Sequence, residues 1–425
     1  MKRETIIQGI IIIVLAIILG ILSYITIKEI DNKNTTSSST SREMNQKPDG
    51  GMPGPGNDSS DSVESTGKIE VTDSKTLTDE YETDTADESV IKVSDGGNLT
   101  LDGAKISKTG GDSTNTENSE FYGVNSGILT TKESTTTIKN SNISTNAKGA
   151  NAVFSTGTDS KVYVYDSTIT TTGESSARGL DSTYGGYIEA DNVTISTEGG
   201  SCATLATDRG EGTVIARNSK LSTKGSGSPL VYSTGDITLE SSEGSADGAQ
   251  ICVVEGKNTA TISDSKLSCS GKGNRNNVDN CGFMIYQSMS GDAGEGTGIL
   301  NLKNSQLEIA EGSNYYTSAP LFFVTNTDAV INLENNTFKY GSNILLKAEG
   351  TSQWGTSGNN GGNVVLNSKS QQLSGDIEID DLSTLELNLE DSSTLESAIN
   401  KDNTAKSIKI KLSKHSKLKL TGDSY

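Results

Sequence analysis

Histidine is nearly missing from this chain: its 425 residues contain one, His415, beside one tryptophan, four cysteines and five prolines. Each scarcity removes a class of chemistry. Histidine metal sites and histidine-dependent triads have almost nothing to be built from. The cysteines, Cys202, Cys252, Cys269 and Cys281, form no Cys-x-x-Cys zinc signature. They read as buried or isolated thiols, with Cys269–Cys281 the one pair worth considering for a bond. Positive charge is short as well, at 35 Lys+Arg against 55 Asp+Glu, a formal net charge of −20. Such a surface repels phosphate, so nucleic acid is not an expected partner. Apolar residues make up only 32% and aromatics 5%. The 46 glycines bring the apolar share close to that of a globular chain, and the charge is dilute, so wholesale disorder is not the default.

What is present begins with an uncharged apolar run at residues 5–27. At about 1.5 Å per residue it is long enough for a hydrocarbon core of about 30 Å. Lys2 and Arg3 precede it, which places the N-terminus in the cytoplasm and the remainder outside. It lacks the small-x-small site of a cleaved signal peptide, so an uncleaved anchor in the lipid bilayer is expected over residues 1–30. Residues 31–66 are polar, with Gly and Pro, and read as a disordered linker.

Internal repetition organises the rest, residues 67–425. The motif Asn/Asp-Ser-x-apolar, with Val193 in the serine place of one copy, ends at Ile143, Ile169, Ile195 and Leu221, three successive steps of 26 residues. It continues less regularly to Leu267, Leu307 and Phe338, with a weak copy at Ser241–Gly244. A short alternating stretch precedes each motif: Val162/Val164, Ile188/Ala190, Val214/Ala216, Ala260/Ile262, Leu300/Leu302, Ile331/Leu333. A further apolar column follows, through Val153-Phe154, Leu180, Leu205, Leu230-Val231, Ile251-Cys252, Phe283-Met284 and Leu321-Phe322. Two or three short strands per unit, with no helical period, predict a parallel β-solenoid whose coils stack about 4.8 Å apart. Asn and Asp suit its corners because they tolerate positive φ, and stacked amides can bond along the axis.

Segments such as IKNSNIST, VYDSTITTTG and ARNSKLSTKG, at residues 138–145, 164–173 and 216–225, resemble the right-handed parallel β-helix proteins of the pectin-lyase-like superfamily. More narrowly, the chain is similar to bacterial surface or adhesin-like β-helix proteins. The resemblance implies an all-β, single-stranded right-handed β-helix with N-terminal capping strands. It says little about activity, since the fold serves lyases, hydrolases and adhesins alike.

Two functions are therefore expected in competition. The first is a non-catalytic, membrane-tethered extracellular protein whose rod presents a glycan or protein ligand site and needs no cofactor. Outward-facing Tyr163 and Tyr165, with Tyr184, Tyr187, Tyr315, Tyr316 and Trp354 in turns and insertions, are its candidate contacts, because ring faces stack on sugars. The second is a calcium-dependent polysaccharide lyase, which the resemblance implies would need clustered acids facing a base. Arg178, Asp181, Asp208 and Arg209 come nearest to that, but as residues of turns they are expected to be solvated. Arg178 and Arg209 are 31 residues apart, out of step with the repeat, so a shared face is not required. Four insertions, 110–119, 271–280, 288–298 and 351–362, are rich in Gly, Ser and Asn. Loops on a rigid scaffold are where specificity resides, though they can equally be neutral. Near the C-terminus, Lys409, Lys411 and Lys419 alternate with Ile and Leu, a pattern that shields a strand edge or meets an anionic polymer.

Overall fold

The structure, a computed structural model, describes residues 63–288 and 290–425. The apolar run 5–27 and all but the end of the polar segment 31–66 lie outside those residues. Among the described residues no helix is long and apolar enough to cross a membrane.

Strands pair in parallel with the strand three places along the chain, two at the C-terminal end, which is the signature of a coil that returns to the same faces. The first sheet has 12 strands, from Thr66–Val71 to Asp376–Ile379; the second has 13, from Ser74–Leu77 to Ser407–Leu412. The third has 10, from Glu80–Thr83 to Thr337–Lys339, and a three-stranded sheet follows it from Gln372–Ser374. The motif residues stack as expected: Ile143, Ile169, Ile195, Leu221, Gly244, Leu267, Leu307 and Phe338 are in register along the third sheet. The weak copy therefore belongs to the ladder. Gly244 has no side chain there, and a Cβ would meet Leu230 Cδ1 at 2.9 Å, so a neighbouring leucine fills the space.

The alternating stretches form the second sheet, with Val162, Ile188, Val214 and Ile237 turned inward and fully buried. Each inward aliphatic contributes about 1.5–3 kcal/mol from burial. The corners are asparagine and aspartate in the left-handed region, with φ 50° at Asn140, 49° at Asp166, 54° at Asn192 and 50° at Asn218. Their amides bond along the axis, as Asn192 Nδ2 donates to Asp166 Oδ1 at 2.6 Å and Asn335 Nδ2 to Asn304 Oδ1 at 3.0 Å. Where the motif carries a serine it is buried and holds the turn, Ser219 Oγ donating to the Arg217 carbonyl at 2.6 Å. A second asparagine ladder, not foreseen, runs through Asn301, Asn332, Asn367 and Asn388 on the second sheet.

All four cysteines are free and buried, so no Cys269–Cys281 bond forms. Cys252 sits in the inward column between Val231 and Phe283. One inward position of the early coils is charged: Lys108 is fully buried and donates to the carbonyl of Glu88 at 3.0 Å and to that of Thr85. Burial holds its pKa below the ordinary lysine value. The alternating lysines near the C-terminus do point out, Lys409 and Lys411 both pairing with Glu386.

The all-β expectation misses one element. Thr116–Tyr122 is an α-helix, inside what reads as a Gly/Ser/Asn insertion. Asn115 caps its start, its Oδ1 accepting from Glu117 N at 3.0 Å, and Gly123 ends it at φ 67°. Seven residues are too few to show a helical period.

Candidate functional site

Strands of the second sheet alternate between buried and half-exposed residues, but in the middle coils of the first sheet both faces are closed off. Ile128–Thr131, Val153–Thr156 and Leu180–Thr183 are buried at every position, as are Cys252–Glu255 and Phe322–Thr325. Strand geometry turns alternate residues outward. In register, the outward row reads Leu129, Phe154, Asp181, Ala206, Tyr232, Val253, Met284 and Phe323. Something must cover these residues, and the insertions do.

At one end the helix lies over the row. Its cap, Gly123, sits so close that a Cβ there would fall 2.5 Å from the Phe154 ring. At the other end Trp354 packs with Val253, Cys281, Met284 and Phe323, and its ring meets Tyr286 edge-on at 5.3 Å. Asn360 Nδ2 donates to the Trp354 carbonyl at 2.7 Å and fixes that loop. Between the two covers remains a cleft of about 260 Å³. Three insertions line it, with Asn274, Arg275 and Asp279 from the second, Asp292 from the third and Trp354 from the fourth, while Glu120 and Phe121 come from the helix that runs out of the first.

Arg178, Asp181 and Asp208 meet at this cleft. Asp181 takes an outward position on its strand, Arg178 lies just before that strand, and Asp208 just after the next one. Arg178 NH1 donates to Asp181 Oδ2 and lies beside Asp208 Oδ2, both at 2.7 Å. The guanidinium also lies 4.0 Å from Glu120 and 5.9 Å from the centre of the Tyr232 ring. Asn151, itself buried, accepts from the Arg178 backbone N–H at 3.0 Å and donates to the Ser119 carbonyl at 3.0 Å, tying the arginine to the helix. The expectation of solvated turn charges is thus wrong for these residues, which are 6%, 0% and 3% exposed. Their burial is non-local, supplied by insertions far away in the chain.

Burial pushes the carboxyls of Asp181 and Asp208 above the ordinary range, against the pull of Arg178, which stays firmly protonated between them. Asp181 Oδ1 is buried with no hydrogen-bond partner. Arg209 joins the same site despite its spacing. Its guanidinium stacks 3.8 Å from the centre of the Phe121 ring and bonds Asp292 at 2.9 Å. Arg178 approaches from before one strand and Arg209 from beyond the end of the next, which accounts for the odd interval. Beside them Tyr232 and Tyr286 donate to one oxygen of the buried Glu255, at 2.6 and 2.8 Å. Burial and that carboxylate raise both phenols well above their ordinary values.

Of the aromatic candidates, Trp354 alone borders the cleft, and it is buried where an exposed ring was expected. Tyr163, Tyr165 and Tyr187 stand on the second sheet, with Tyr163 and Tyr187 6.1 Å apart. Tyr184 stacks on Tyr122 at 5.4 Å; Tyr315 and Tyr316 pack on the core. Tyr232 and Tyr286 were missed, although the consecutive apolar residues beside them, Cys252-Val253-Val254 and Phe283-Met284-Ile285, are the pattern of a strand covered on both faces. Among the described residues, no three carboxylate, cysteine or histidine side chains gather closely enough to hold a metal ion.

No family model, no curated protein and no solved structure matches this chain.

Proposed function

We propose that this is a surface protein, anchored in the membrane through residues 5–27 and held on its linker outside the cell, whose β-helix binds a glycan ligand in the cleft over the first sheet. The observation that carries this reading is the convergence of three insertions and the helix Thr116–Tyr122 on one cleft. Neutral insertions would scatter over the coils, whereas here each contributes or flanks a wall of the same recess. The recess combines ring surfaces with a hydrogen-bonding arginine and carboxylates, the mixture that a sugar ring uses. Its volume lies just below the usual range of about 300–1,000 Å³ for ligand pockets, so it suits one small ring of a chain better than an extended groove.

The calcium-dependent lyase reading, which rests on likeness to the pectin-lyase-like superfamily, has less support. Its substrate is a polyanion, and the cleft wall carries Glu120, Asp208, Asp279 and Asp292. Arg178 is already held by two carboxylates and has little left to offer a uronate.

The experiment is binding of the full chain to immobilised neutral, amino and uronate polysaccharides, beside the variant Arg178→Met/Asp181→Asn/Asp208→Asn. Binding of a neutral or amino glycan that the variant loses is the expected result. Unsaturated product from a uronate polymer with calcium would instead establish the lyase.

A further inference from the structure

The second sheet carries a surface of a different kind from the cleft. On its strands Thr297–Lys303, Thr327–Glu334, Gly362–Lys369 and Thr384–Glu390, outward residues stand in straight rows along the axis. The middle row is the ladder Asn301, Asn332, Asn367 and Asn388, each amide bonded to the next. On one side of it lie Ile299, Val330, Val365 and Glu386, partly open to solvent. On the other side lie Lys303, Glu334, Lys369 and Glu390, whose charges alternate strictly.

Within the chain this charged row is only partly satisfied. Lys303 and Lys369 both reach Glu334, at 3.4 and 3.7 Å, and their side chains remain 52% and 53% exposed. Glu390 is exposed and forms no ion pair among the described residues. The Asn332 and Asn367 amides each spend one N–H on the ladder and keep a second.

A row that reads plus, minus, plus, minus is its own complement when reversed. A two-fold axis along the strand direction lays two copies face to face and reverses the order of each row. Lys303 of one copy then meets Glu390 of the other, and Glu334 meets Lys369. Asn332 likewise meets Asn367, and Val330 meets Val365. Both faces repeat at about 4.8 Å, so the match holds along the row. Turned about the rod axis instead, each charge meets its own kind or the valine row, and both arrangements are unfavourable.

We propose that this face binds a second copy of the chain, antiparallel, through the row Lys303, Glu334, Lys369 and Glu390. With the neighbouring strands Thr259–Ser263 and Ser407–Leu412 the face spans six strands. At about 4.8 Å per strand and about 3.3 Å per residue it offers about 500 Å² per copy, about 1,000 Å² in all. That is the low end for a specific pair, so the contact is weak singly and effective where many copies face one another. The first coils of the two rods lie at opposite ends, as chains tethered to facing membranes would meet.

Beads carrying the full chain in detergent, coupled through its N-terminus, test this by their clustering. Native beads are expected to cluster. Lys303→Glu/Glu390→Lys turns the row into minus, minus, plus, plus, again its own complement reversed, and should cluster as the native chain does. Lys303→Glu/Glu334→Lys has the same composition but reads minus, plus, plus, minus, and meets itself like to like. Its clustering should fall at least about tenfold, as four modest exposed contacts turn repulsive. The first variant breaks the Lys303–Glu334 pair, which the second keeps with its signs exchanged, so damage to the fold predicts the opposite order. Native beads that stay dispersed overturn the proposal, as do two variants that cluster alike or disperse alike. None of these outcomes bears on the glycan reading, whose cleft lies over the first sheet.

Discussion

Arg178→Met is the substitution that tests the centre of the site most directly. In the native chain one guanidinium nitrogen lies 2.7 Å from Asp181 Oδ2 and 2.7 Å from Asp208 Oδ2, and the two carboxylate side chains are 0% and 5% exposed. Methionine keeps much of the volume and removes the charge. Two buried carboxyl groups are then left facing each other with no counterion for the ionised form of either. Taking away one partner of a buried ionic group costs about 3–5 kcal/mol. The carboxyls can escape part of that by binding protons, so the loss should be largest above about pH 8, where Asp208 ionises, and smaller at neutral pH and below, where burial favours the protonated forms.

A long solenoid need not unfold in one step, so the appropriate measurement is local. Native-state hydrogen exchange of the amides in Leu180–Thr183 and Leu205–Thr207 reads the opening of the two strands concerned. At 1.4 kcal/mol per factor of ten, protection there should drop by about a hundredfold to a few thousandfold. Strand Thr384–Glu390, many coils away, should be unaffected, because each coil contacts only its neighbours. In Arg178→Met/Asp181→Asn/Asp208→Asn the buried charges are gone together, and protection should return to within about tenfold of the native chain. A single variant that loses less than tenfold would show that the cluster is not desolvated as described. A triple variant as weak as the single one would show that packing of the arginine stem, not charge, was responsible.

Three further outcomes follow from particular residues. Burial raises Asp208 from the ordinary 3.8 to about 8, so between those values the folded chain keeps a proton that the unfolded chain has released. Stability contributed by this group therefore falls as pH rises through that window, and the Tm of Asp208→Asn minus that of the native chain should climb with pH; a flat difference refutes the assignment. Asn192 stands at φ 54° and bonds Asp166 at 2.6 Å, so Asn192→Ala should cost about 1–2 kcal/mol by denaturant midpoint, and Asn192→Gly should cost less. If alanine and glycine behave alike, backbone strain is not what selects asparagine at the corner. Gly123→Ala places a methyl 2.5 Å from the Phe154 ring at φ 67°, and should lose more than about 1 kcal/mol, seen as faster proteolysis of the helix Thr116–Tyr122.

The solenoid was legible because its determinants are local and repeated. Ile143, Ile169, Ile195 and Leu221 recur at a fixed step, and the residues that set each corner lie beside them in the chain. The site follows the opposite logic. Nothing near Asp181 marks it as buried: its strand neighbours Phe154 and Ala206 come from other coils, and what covers the face comes from a helix some 60 residues earlier and a loop ending far later. The exposed alternation of Tyr163 and Tyr165 is a strong local pattern, and it points to a sheet that carries none of the cleft. The informative signal was a break in alternation. Val253 and Phe323 follow inward residues directly, so an apolar side chain is left on the outer face of the first sheet. An outward apolar row requires a cover, and only insertions can supply one to a solenoid whose other two faces are regular. The same insertions that look neutral by composition are thus required by the pattern of the strands beneath them, and where they stop short of meeting, over Arg178, Asp208 and Tyr232, the cleft is what remains.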